Sequence, residues 1–255
     1  MCIRDRLRQL GIVNFILANK EKNHLVEILE TKNLGNKGAR SPHKEYQRRT
    51  RSLVKIQEGC NDFCSFCIVP YTRGRERSLP LEEVLQEVKA RVVSGYKEVT
   101  LTGTKIGAYG WNGGNSGELS RLIEHILDKT GVKRLRLSSL QPQDLTPELV
   151  KLWADDRLCP HLHIPLQSGS EAILKRMRRR YSIDDYERAV SLVREAIPGI
   201  AITTDILVGF PGEGEKEFEE SYHFCEKMGL ANIHVFPYSP PVSYTHLTLP
   251  TNREV

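Results

Sequence analysis

The 255-residue chain has no apolar run that approaches the roughly 18 residues a membrane-spanning helix needs, so the sequence predicts no membrane contact. Its first residues, Met-Cys-Ile-Arg-Asp-Arg, lack an apolar core, which argues against a secretory signal peptide. The composition, 39% hydrophobic and 27% charged, is that of an ordinary soluble globular protein. The length suits one large domain or two small ones.

Cysteine is scarce and unevenly placed. Of the six cysteines, Cys60, Cys64 and Cys67 lie in one short segment, whereas a disulfide framework spreads its cysteines along the chain. The clustering therefore favours a metal site in a reducing, cytoplasmic environment. Cys159 and Cys225 are interpreted as thiols of the core or of a helix face.

The spacing of the three clustered cysteines, C-x3-C-x2-C, is unusual for zinc, which is commonly held by two C-x2-C pairs or by one pair plus histidines. Three thiolates on a cluster of four irons leave one iron free to bind a substrate directly. The alternative of another class is a non-catalytic zinc-binding nucleic-acid module. That alternative requires a fourth cysteine or histidine close to the three thiols.

Strand-like runs alternate with amphipathic helical runs from residue 53 onward, which predicts an α/β fold of parallel strands joined by right-handed crossovers. Six strands are predicted at residues 53–57, 98–101, 133–138, 161–166, 200–208 and 233–236. Helices are predicted at residues 81–93, 119–127, 146–153, 182–196 and 215–228.

Chemistry in such barrels lies at the carboxyl ends of the strands, and the cysteine segment directly follows the first strand. Small and hydroxylated residues follow the second, fourth and fifth strands, where they are either ordinary turns or ligand contacts. The candidates are Thr102, Gly103, Gln167, Ser168, Ser170, Gly209 and Gly212.

The segment Gly-Cys-Asn-Asp-Phe-Cys-Ser-Phe-Cys at residues 59–67, with Phe66 before the last cysteine, resembles the radical S-adenosylmethionine (SAM) superfamily. The resemblance implies a partial (βα)6 radical SAM barrel with a [4Fe-4S] cluster on the three cysteines. It also implies that SAM binds the open iron and is cleaved to a 5′-deoxyadenosyl radical. Phe66, Gly209 and Gly212 would then lie near the SAM adenine, and Thr102-Gly103 would hold its amino group.

The sequences at residues 101–103, 107–110, 165–170 and 205–213 resemble the methylthiotransferase branch of that superfamily. Those at residues 136–140, 159–165 and 175–181 are most similar to the enzymes that methylthiolate C2 of N6-threonylcarbamoyladenosine beside the tRNA anticodon. Isopentenyladenosine tRNA and a ribosomal protein are the alternative substrates. The resemblance further implies a monomer, a flavodoxin or ferredoxin as electron donor, and a second [4Fe-4S] cluster whose cysteines are absent here.

The resemblance divides the chain into the tail of an N-terminal methylthiotransferase domain (residues 7–30), a basic linker (31–50) and the radical SAM core (51–240). Between residues 31 and 55 there are eight Lys or Arg and one acid, which suits a solvated linker or a phosphate-binding strip. Candidate tRNA-phosphate contacts, with a solvated surface as the alternative, are Arg73, Arg75, Arg77, Arg178, Arg179 and Arg180.

Residues 1–6 and 242–255 are expected to be adapter-derived. Met-Cys-Ile-Arg-Asp-Arg can be encoded by ATG TGT ATA AGA GAC AG plus one base. The reverse complement of those bases encodes Val-Ser-Tyr-Thr-His, the sequence of residues 242–246. Such inverted ends are typical of a sequencing-library transposon, so both segments are excluded from fold reasoning.

Two histidines and an aspartate fall within predicted strands. His161 and His163 share one face of the fourth strand, where packing against the barrel wall is favoured over metal binding. Asp205 interrupts an apolar strand and needs a polar partner, either in an active site or in a structural hydrogen bond.

Overall fold

The computed structural model describes residues 50–110 and 117–240 together with His24, Glu27 and Ile28. The chain divides into two compact units, Gln47–Ser239 and a second made of Met1–Tyr46 and Pro240–Val255. The predictions for residues 1–49 and 241–255 therefore fall outside the described residues, apart from those three positions. None of the described helices is both long and apolar enough to cross a membrane.

The first unit is built on a row of six parallel strands with one short antiparallel strand at its edge. Strand order is β2-β1-β3-β4 in one sheet and β5-β6-β7 in the other, and only the β1–β2 pair is antiparallel. Parallel bridges Leu135↔Leu158 and Ser139↔His163 join the two sheets between β4 and β5. The strands are β1 (Arg51–Glu58), β2 (Arg77–Ser78), β3 (Glu98–Gly103), β4 (Leu135–Leu137), β5 (His161–His163), β6 (Ala201–Val208) and β7 (Asn232–Pro237).

Helices follow the strands as the alternating pattern predicts. Thr146 accepts a hydrogen bond from the Leu149 backbone N–H at 3.2 Å, and Ser182 forms a capping box with Asp185, so both helix starts have satisfied N–H groups. The helices are α1 (Val69–Arg73), α2 (Leu81–Val93), α3 (Glu118–Lys129), α4 (Pro147–Lys151), α5 (Glu171–Arg176), α6 (Ile183–Ala196) and α7 (Glu215–Met228). Short 3₁₀ turns lie at Ile106–Ala108, Pro142–Asp144 and Leu152–Ala154.

The core lies between the strands and the helices that cover them. Alternate residues of β1, such as Val54 and Ile56, are fully buried in one cluster with the apolar faces of α2 and α3. Side chains on the other face of the strands, such as Arg51 and Lys55, point into the barrel. The six predicted parallel strands and the α/β barrel are confirmed, and the barrel is partial because β5–β6–β7 does not return to β2–β1 among the described residues.

Candidate metal centre at the cysteine loop

The loop that carries the three cysteines starts at a glycine that no other residue can replace without strain. Gly59 has φ +81°, and a Cβ on it would lie 2.0 Å from the backbone oxygen of Arg75. The Cys60 N–H donates to the Gly74 oxygen at 3.1 Å, which closes the segment into a compact loop at the carboxyl end of β1. The loop therefore lies at the end of the barrel where the sequence places it.

All three loop thiols are reduced and half-buried, and the Cys67 N–H donates to the Cys64 oxygen at 3.0 Å. Burial raises the pKa of Cys60 to about 11 and also raises the pKa of Cys67. Without a bound cation these two groups are therefore neutral thiols at pH 7. Because thiolates are the metal-binding form, a soft metal centre would have to replace their protons.

Arg179 lies against the second loop cysteine. Its Nη1 is 3.3 Å from Cys64 Sγ, its Nε donates to Tyr181 Oη at 3.0 Å, and its guanidinium carbon is 4.7 Å from the centre of the Tyr181 ring. Tyr181 in turn donates to the Pro165 oxygen at 2.7 Å, beyond the end of β5. A positive charge is thus fixed beside the Cys64 sulfur by a buried aromatic ring.

Arg179 is turned inward by the way α5 ends. The Arg179 N–H donates to the Leu174 oxygen and the Arg178 N–H to the Lys175 oxygen, both at 3.0 Å, which is a Schellman motif. Arg178 occupies the left-handed position with φ +57°, where glycine is usual. The Met177 oxygen, in the same turn, accepts a 3.0 Å bond from the Ser65 N–H, so the turn also holds the cysteine loop.

Asp62, inside the loop, joins it to three other segments. Its carboxylate lies 2.8 Å from Lys105 Nζ, 3.2 Å from Arg180 Nε and 3.2 Å from Gln141 Nε2. Burial alone would raise the pKa of Asp62, but the bond and charge of Lys105, with Arg180 and Gln141, hold it below its usual range. The cysteine loop is therefore tied by a buried carboxylate to the loops after β3 and β4 and to the segment after α5.

Thr102 and Gly103, the residues predicted to contact a ligand at the end of β3, lie next to Gln57 of β1. A Cβ on Gly103 would lie 2.8 Å from the Gln57 oxygen, and the Gln57 side chain accepts from the Lys105 N–H at 2.8 Å and donates to the Gly59 oxygen at 2.9 Å. Thr102, on the same strand, is half-buried. The turn after β3 is thus packed directly onto the start of the cysteine loop.

The predicted residues after β5 are deeply placed. Ser168 and Ser170 are fully buried, and Ser168 Oγ lies 3.1 Å from Ser221 Oγ on α7. Gln167 adopts φ +71° and exchanges backbone hydrogen bonds with β6 through the Asp205 oxygen and the Leu207 N–H, both 2.8 Å. Ser168 therefore has a structural partner, while Ser170 Oγ has none among the described residues. Their contact with a cofactor stays a prediction.

Phe66 and the turn after β6 come together in a small apolar cluster separate from the main core. Phe66 packs with Ile173, Met177 and Phe210, and Phe210 meets Tyr238 edge to face at 5.2 Å. Gly209 and Gly212 adopt φ +73° and +87°, and a Cβ on Gly212 would lie 1.4 Å from Arg176 Nη1. Of the three residues expected near an adenine, Phe66 thus belongs to the apolar cluster, while Gly209 and Gly212 are exposed in the turn that carries Phe210.

The six candidate phosphate-binding arginines divide by their partners. Arg73 and Arg77 lie 3.5 and 2.9 Å from the Glu58 carboxylate, and Arg75 lies 4.8 Å above the Phe63 ring. Arg179 contacts Cys64 and Arg180 contacts Asp62, as described. Arg178 is exposed, with no side-chain ion pair to the described residues. Because the Arg179 guanidinium is bonded to Cys64 and Tyr181, Arg179 is the least suited of the six to contact RNA.

Sequence reasoning alone missed Asp62, Lys105, Gln141 and the roles of Arg179 and Tyr181. The one signal in the sequence that could have pointed to these contacts is the charge of Asp62, which lies between two of the cysteines and needs a cationic partner when buried. The two interior predictions can now be placed: Asp205 Oδ2 lies 3.0 Å from His163 Nε2, and His161 Nε2 lies 3.2 Å from Thr203 Oγ1. Asp205 thus has the polar partner that its position requires.

Comparison with known proteins gives a consistent result. The sequence profile described as Radical SAM superfamily matches residues 54–225. The threonylcarbamoyladenosine tRNA methylthiotransferase MtaB of Bacillus subtilis is 45% identical over 192 residues, which cover 75% of this chain and 43% of that protein. The tRNA-2-methylthio-N(6)-dimethylallyladenosine synthase of Clostridium tetani is 42% identical over 191 residues, 74% of this chain and 42% of that one.

The chain spans about half the length of the curated relatives it matches. Among solved structures, the radical SAM methyltransferase TsrM of Kitasatospora setae, with cobalamin and a [4Fe-4S] cluster bound, superposes with a TM-score of 0.60 and 21% identity. The match covers 72% of this chain and 36% of TsrM. At that identity the likeness establishes a common fold.

Proposed function

The chain belongs to the radical SAM superfamily, and from that premise we propose that it is the catalytic core of a tRNA methylthiotransferase. The proposed reaction adds a methylthio group to C2 of N6-threonylcarbamoyladenosine beside the anticodon. The observation that carries the proposal is the group of three half-buried free thiols on the loop after β1. The choice of substrate is supported by the 45% identity to a relative named for threonylcarbamoyladenosine tRNA.

Cys60, Cys64 and Cys67 would hold a [4Fe-4S] cluster through three of its irons. The donor set fits, because the three thiols are soft ligands and two of them are held neutral by burial until a metal replaces the proton. When bound, the cluster and SAM supply the one-electron chemistry that activates an unreactive C–H bond. A second [4Fe-4S] cluster, held by cysteines outside this chain, belongs to the same proposal.

The chain's own residues position and shield that site. Arg179 donates to the Cys64 sulfur, which stabilises added negative charge, and the Asp62–Lys105 pair keeps the loop in register with the neighbouring turns. Phe66, which packs on the buried side chains of Met177 and Phe210, is apolar and would exclude water from one side of a bound nucleotide. Thr102, Gly103, Gln167, Ser168, Ser170, Gly209 and Gly212 are proposed to line the SAM site.

The proposal extends to partners and setting. A flavodoxin or ferredoxin would supply the electron to a monomeric enzyme in the cytoplasm. The tRNA substrate is supported by relatives named for tRNA modification and by the exposed cation Arg178. Four other arginines already contact Glu58, Phe63 or Asp62 and would have to divide their hydrogen bonds between these groups and a phosphate. We therefore propose them as secondary contacts: Arg73, Arg75, Arg77 and Arg180.

The zinc alternative makes a different demand on the loop. A structural zinc site needs four protein ligands, and the described groups that could join Cys60 within 4.8 Å are the carboxylates of Asp62 and Glu76. Both carboxylates already pair with other groups, Asp62 with Lys105 and Glu76 with the Asn61 side chain at 3.0 Å. The three-thiol iron site therefore fits the loop better.

Anaerobic reconstitution with iron and sulfide tests the proposed centre. The chain should turn brown and, with dithionite and SAM, release 5′-deoxyadenosine. Cys64→Ala should abolish both signals, whereas Cys225→Ala, which removes a half-buried thiol from α7, should retain them. A colourless protein with one tetrahedral zinc, or a brown and active Cys64→Ala variant, would overturn the assignment.

The substrate is tested in cells. Deleting the full-length gene should remove 2-methylthio-N6-threonylcarbamoyladenosine from tRNA digests analysed by mass spectrometry, and the gene restored on a plasmid should return it. Loss of the isopentenyladenosine derivative, or of a ribosomal-protein methylthio group, would replace this substrate by one of the alternatives.

A further inference from the structure

A second group of metal-binding side chains lies outside the cysteine loop, on three neighbouring strands: His163 on β5, Asp205 on β6 and His234 on β7. His163 is paired in register with Thr203, and Asp205 with His234. Side chains alternate between faces along a strand, so all of these share one face. The opposite face carries Leu162, Ile202 and Ile206, which are buried in the core beneath the helices. The three side chains therefore point into the barrel.

The donor atoms lie near the separations that a shared ion requires, with the two histidines facing different oxygens of the Asp205 carboxylate. His163 Nε2 lies 3.0 Å from Asp205 Oδ2, and His234 Nδ1 lies 3.4 Å from Asp205 Oδ1. With metal–ligand bonds of about 2.1 Å, two ligands lie about 3.0 Å apart at a right angle and about 3.4 Å apart in a tetrahedron. One donor atom from each of the three residues lies within 4.8 Å of the other two, so small side-chain rotations would bring them onto one ion.

The far nitrogen of His163 is held by a group that can accept its proton, as in established metal sites: Nδ1 lies 3.0 Å from Thr203 Oγ1. His234 Nε2 lies 3.3 Å from Asn232 Nδ2, which is a donor, so metal binding through His234 Nδ1 requires this contact to change when the proton moves to Nε2. The two imidazole rings are nearly parallel, with an interplanar angle of 28° and centroids 6.1 Å apart. These contacts fix the rings so that one nitrogen of each faces the Asp205 carboxylate.

We propose that His163, Asp205 and His234 form a binding site for a divalent transition-metal ion, Zn²⁺ or Fe²⁺, in the barrel interior. Two imidazoles and one carboxylate suit these ions, whereas Mg²⁺ and Ca²⁺ prefer oxygen ligands alone. Three protein ligands leave at least one position for water or a bound molecule. The His234 side chain is 54% exposed, so the ion has a route from solvent. The site is independent of the thiol centre and of the proposed function.

The site is tested by measuring Zn²⁺ binding to the 255-residue chain. The iron–sulfur cluster is first reconstituted on the cysteine loop. Filling the loop keeps the thiols from competing for zinc. Competition with a chromophoric chelator, followed by metal analysis, should give one Zn²⁺ per chain in addition to the cluster iron. His234→Ala should weaken binding about tenfold or more, because one of three ligands is lost. His223→Ala is the matched control, since His223 is an exposed histidine on α7 with a 71% exposed side chain.

Asp205→Asn provides a second, nearly isosteric variant that removes the anionic ligand. Zinc affinity should fall at least as far as in His234→Ala, with circular dichroism confirming that the chain is folded. Co²⁺ bound in place of Zn²⁺ should show d–d absorption without the thiolate charge-transfer band that cysteine ligation produces. If the wild-type chain binds no additional Zn²⁺, or if His234→Ala binds it as tightly as His223→Ala, the three side chains are a hydrogen-bonded triad only. The proposal would then be wrong.

Discussion

The barrel holds a nearly buried carboxylate at each end, and the two are surrounded by cations in different ways. Asp62, in the loop at the carboxyl end of β1, has a side chain 3% exposed, and its partners Lys105 and Arg180 are 11% and 58% exposed. Glu98, the first residue of β3 at the amino end, is 7% exposed, but its partners Arg51 and Arg134 are 55% and 56% exposed. Only Arg136, at 17%, is substantially buried with Glu98.

The partners also come from different kinds of segment. Lys105, Gln141 and Arg180, the groups around Asp62, lie in loops or after a helix, so their bonds set how loops lie around the cysteines. Arg51 and Arg136, around Glu98, lie on β1 and β4, so their bonds join strand beginnings. In barrels of this class chemistry gathers at the carboxyl end and stability at the amino end. Substitutions at the two carboxylates should therefore separate effects on the site from effects on the fold.

Asp62→Asn should have the larger effect. The change leaves the nearly buried Lys105 ammonium without its main counter-charge, which should cost about 3 kcal/mol of unfolding free energy. It should also lower the iron retained after reconstitution, because the cysteine loop loses its ion pairs with Lys105 and Arg180. Urea unfolding and iron analysis measure the two effects. Asp184→Asn, at an exposed position on α6, should change neither.

Glu98→Gln should destabilise the chain by about 1–2 kcal/mol, because two of the three arginines that lose their partner can return to water. Iron content and 5′-deoxyadenosine formation should match the wild type once both proteins are kept well below their melting temperatures. A loss of iron equal to that in Asp62→Asn would show that the two ends of the barrel do not differ in the way proposed.

Acidification should narrow the stability gap between the wild type and Glu98→Gln. Burial alone would raise the pKa of Glu98, but Arg136, Arg134 and Arg51 outweigh burial and hold that pKa below its ordinary value of 4.5. A carboxyl group with a lowered folded-state pKa stabilises the fold above its unfolded pKa and loses that contribution as pH falls through the folded value. The gap measured by urea unfolding at pH 7 should thus shrink below about pH 4. If the difference in unfolding free energy between the wild type and Glu98→Gln grows on acidification, the pKa of Glu98 is not lowered in the folded chain.

The strands and long helices could be predicted because burial imposes a period on the sequence. The run predicted at residues 53–57 is the centre of β1, and α2 and α7 have the predicted bounds, since each presents a regular apolar face. β2, with two residues, and α5, with six, are too short to show a period, and neither was predicted. Short elements of this kind are decided by tertiary contacts that a local pattern does not contain.

The candidate site was predictable in its ligands but not in their surroundings. The spacing of the cysteines and their place after a strand are local properties of the sequence. Asp62, by contrast, meets Lys105 and Gln141, which are 43 and 79 residues away along the chain. Arg179 belongs to a basic run that by itself suggests phosphate binding. Only the left-handed turn at Arg178 directs Arg179 inward to the cysteine sulfur.

The smallest expected effect is a gain in stability at that turn. Arg178 is the only described residue of its helix ending with a positive φ, and a left-handed conformation costs a residue with a Cβ about 1–2 kcal/mol. Arg178→Gly removes that strain but adds backbone freedom to the unfolded chain, so the net gain should be about 0.5–1 kcal/mol. Arg178→Ala is the matched control, because it deletes the same exposed side chain and keeps the Cβ.

The expected order of stability by urea unfolding is therefore Arg178→Gly above the wild type, with Arg178→Ala close to the wild type. Iron content should be unchanged in both, because the backbone bonds that direct Arg179 toward Cys64 do not involve the Arg178 side chain. If Arg178→Gly instead lowers the iron retained, the Arg178 strain is needed for the turn to hold the cysteine loop, in addition to the Ser65–Met177 backbone bond. Backbone strain at the carboxyl end of the barrel would then serve the site rather than the fold.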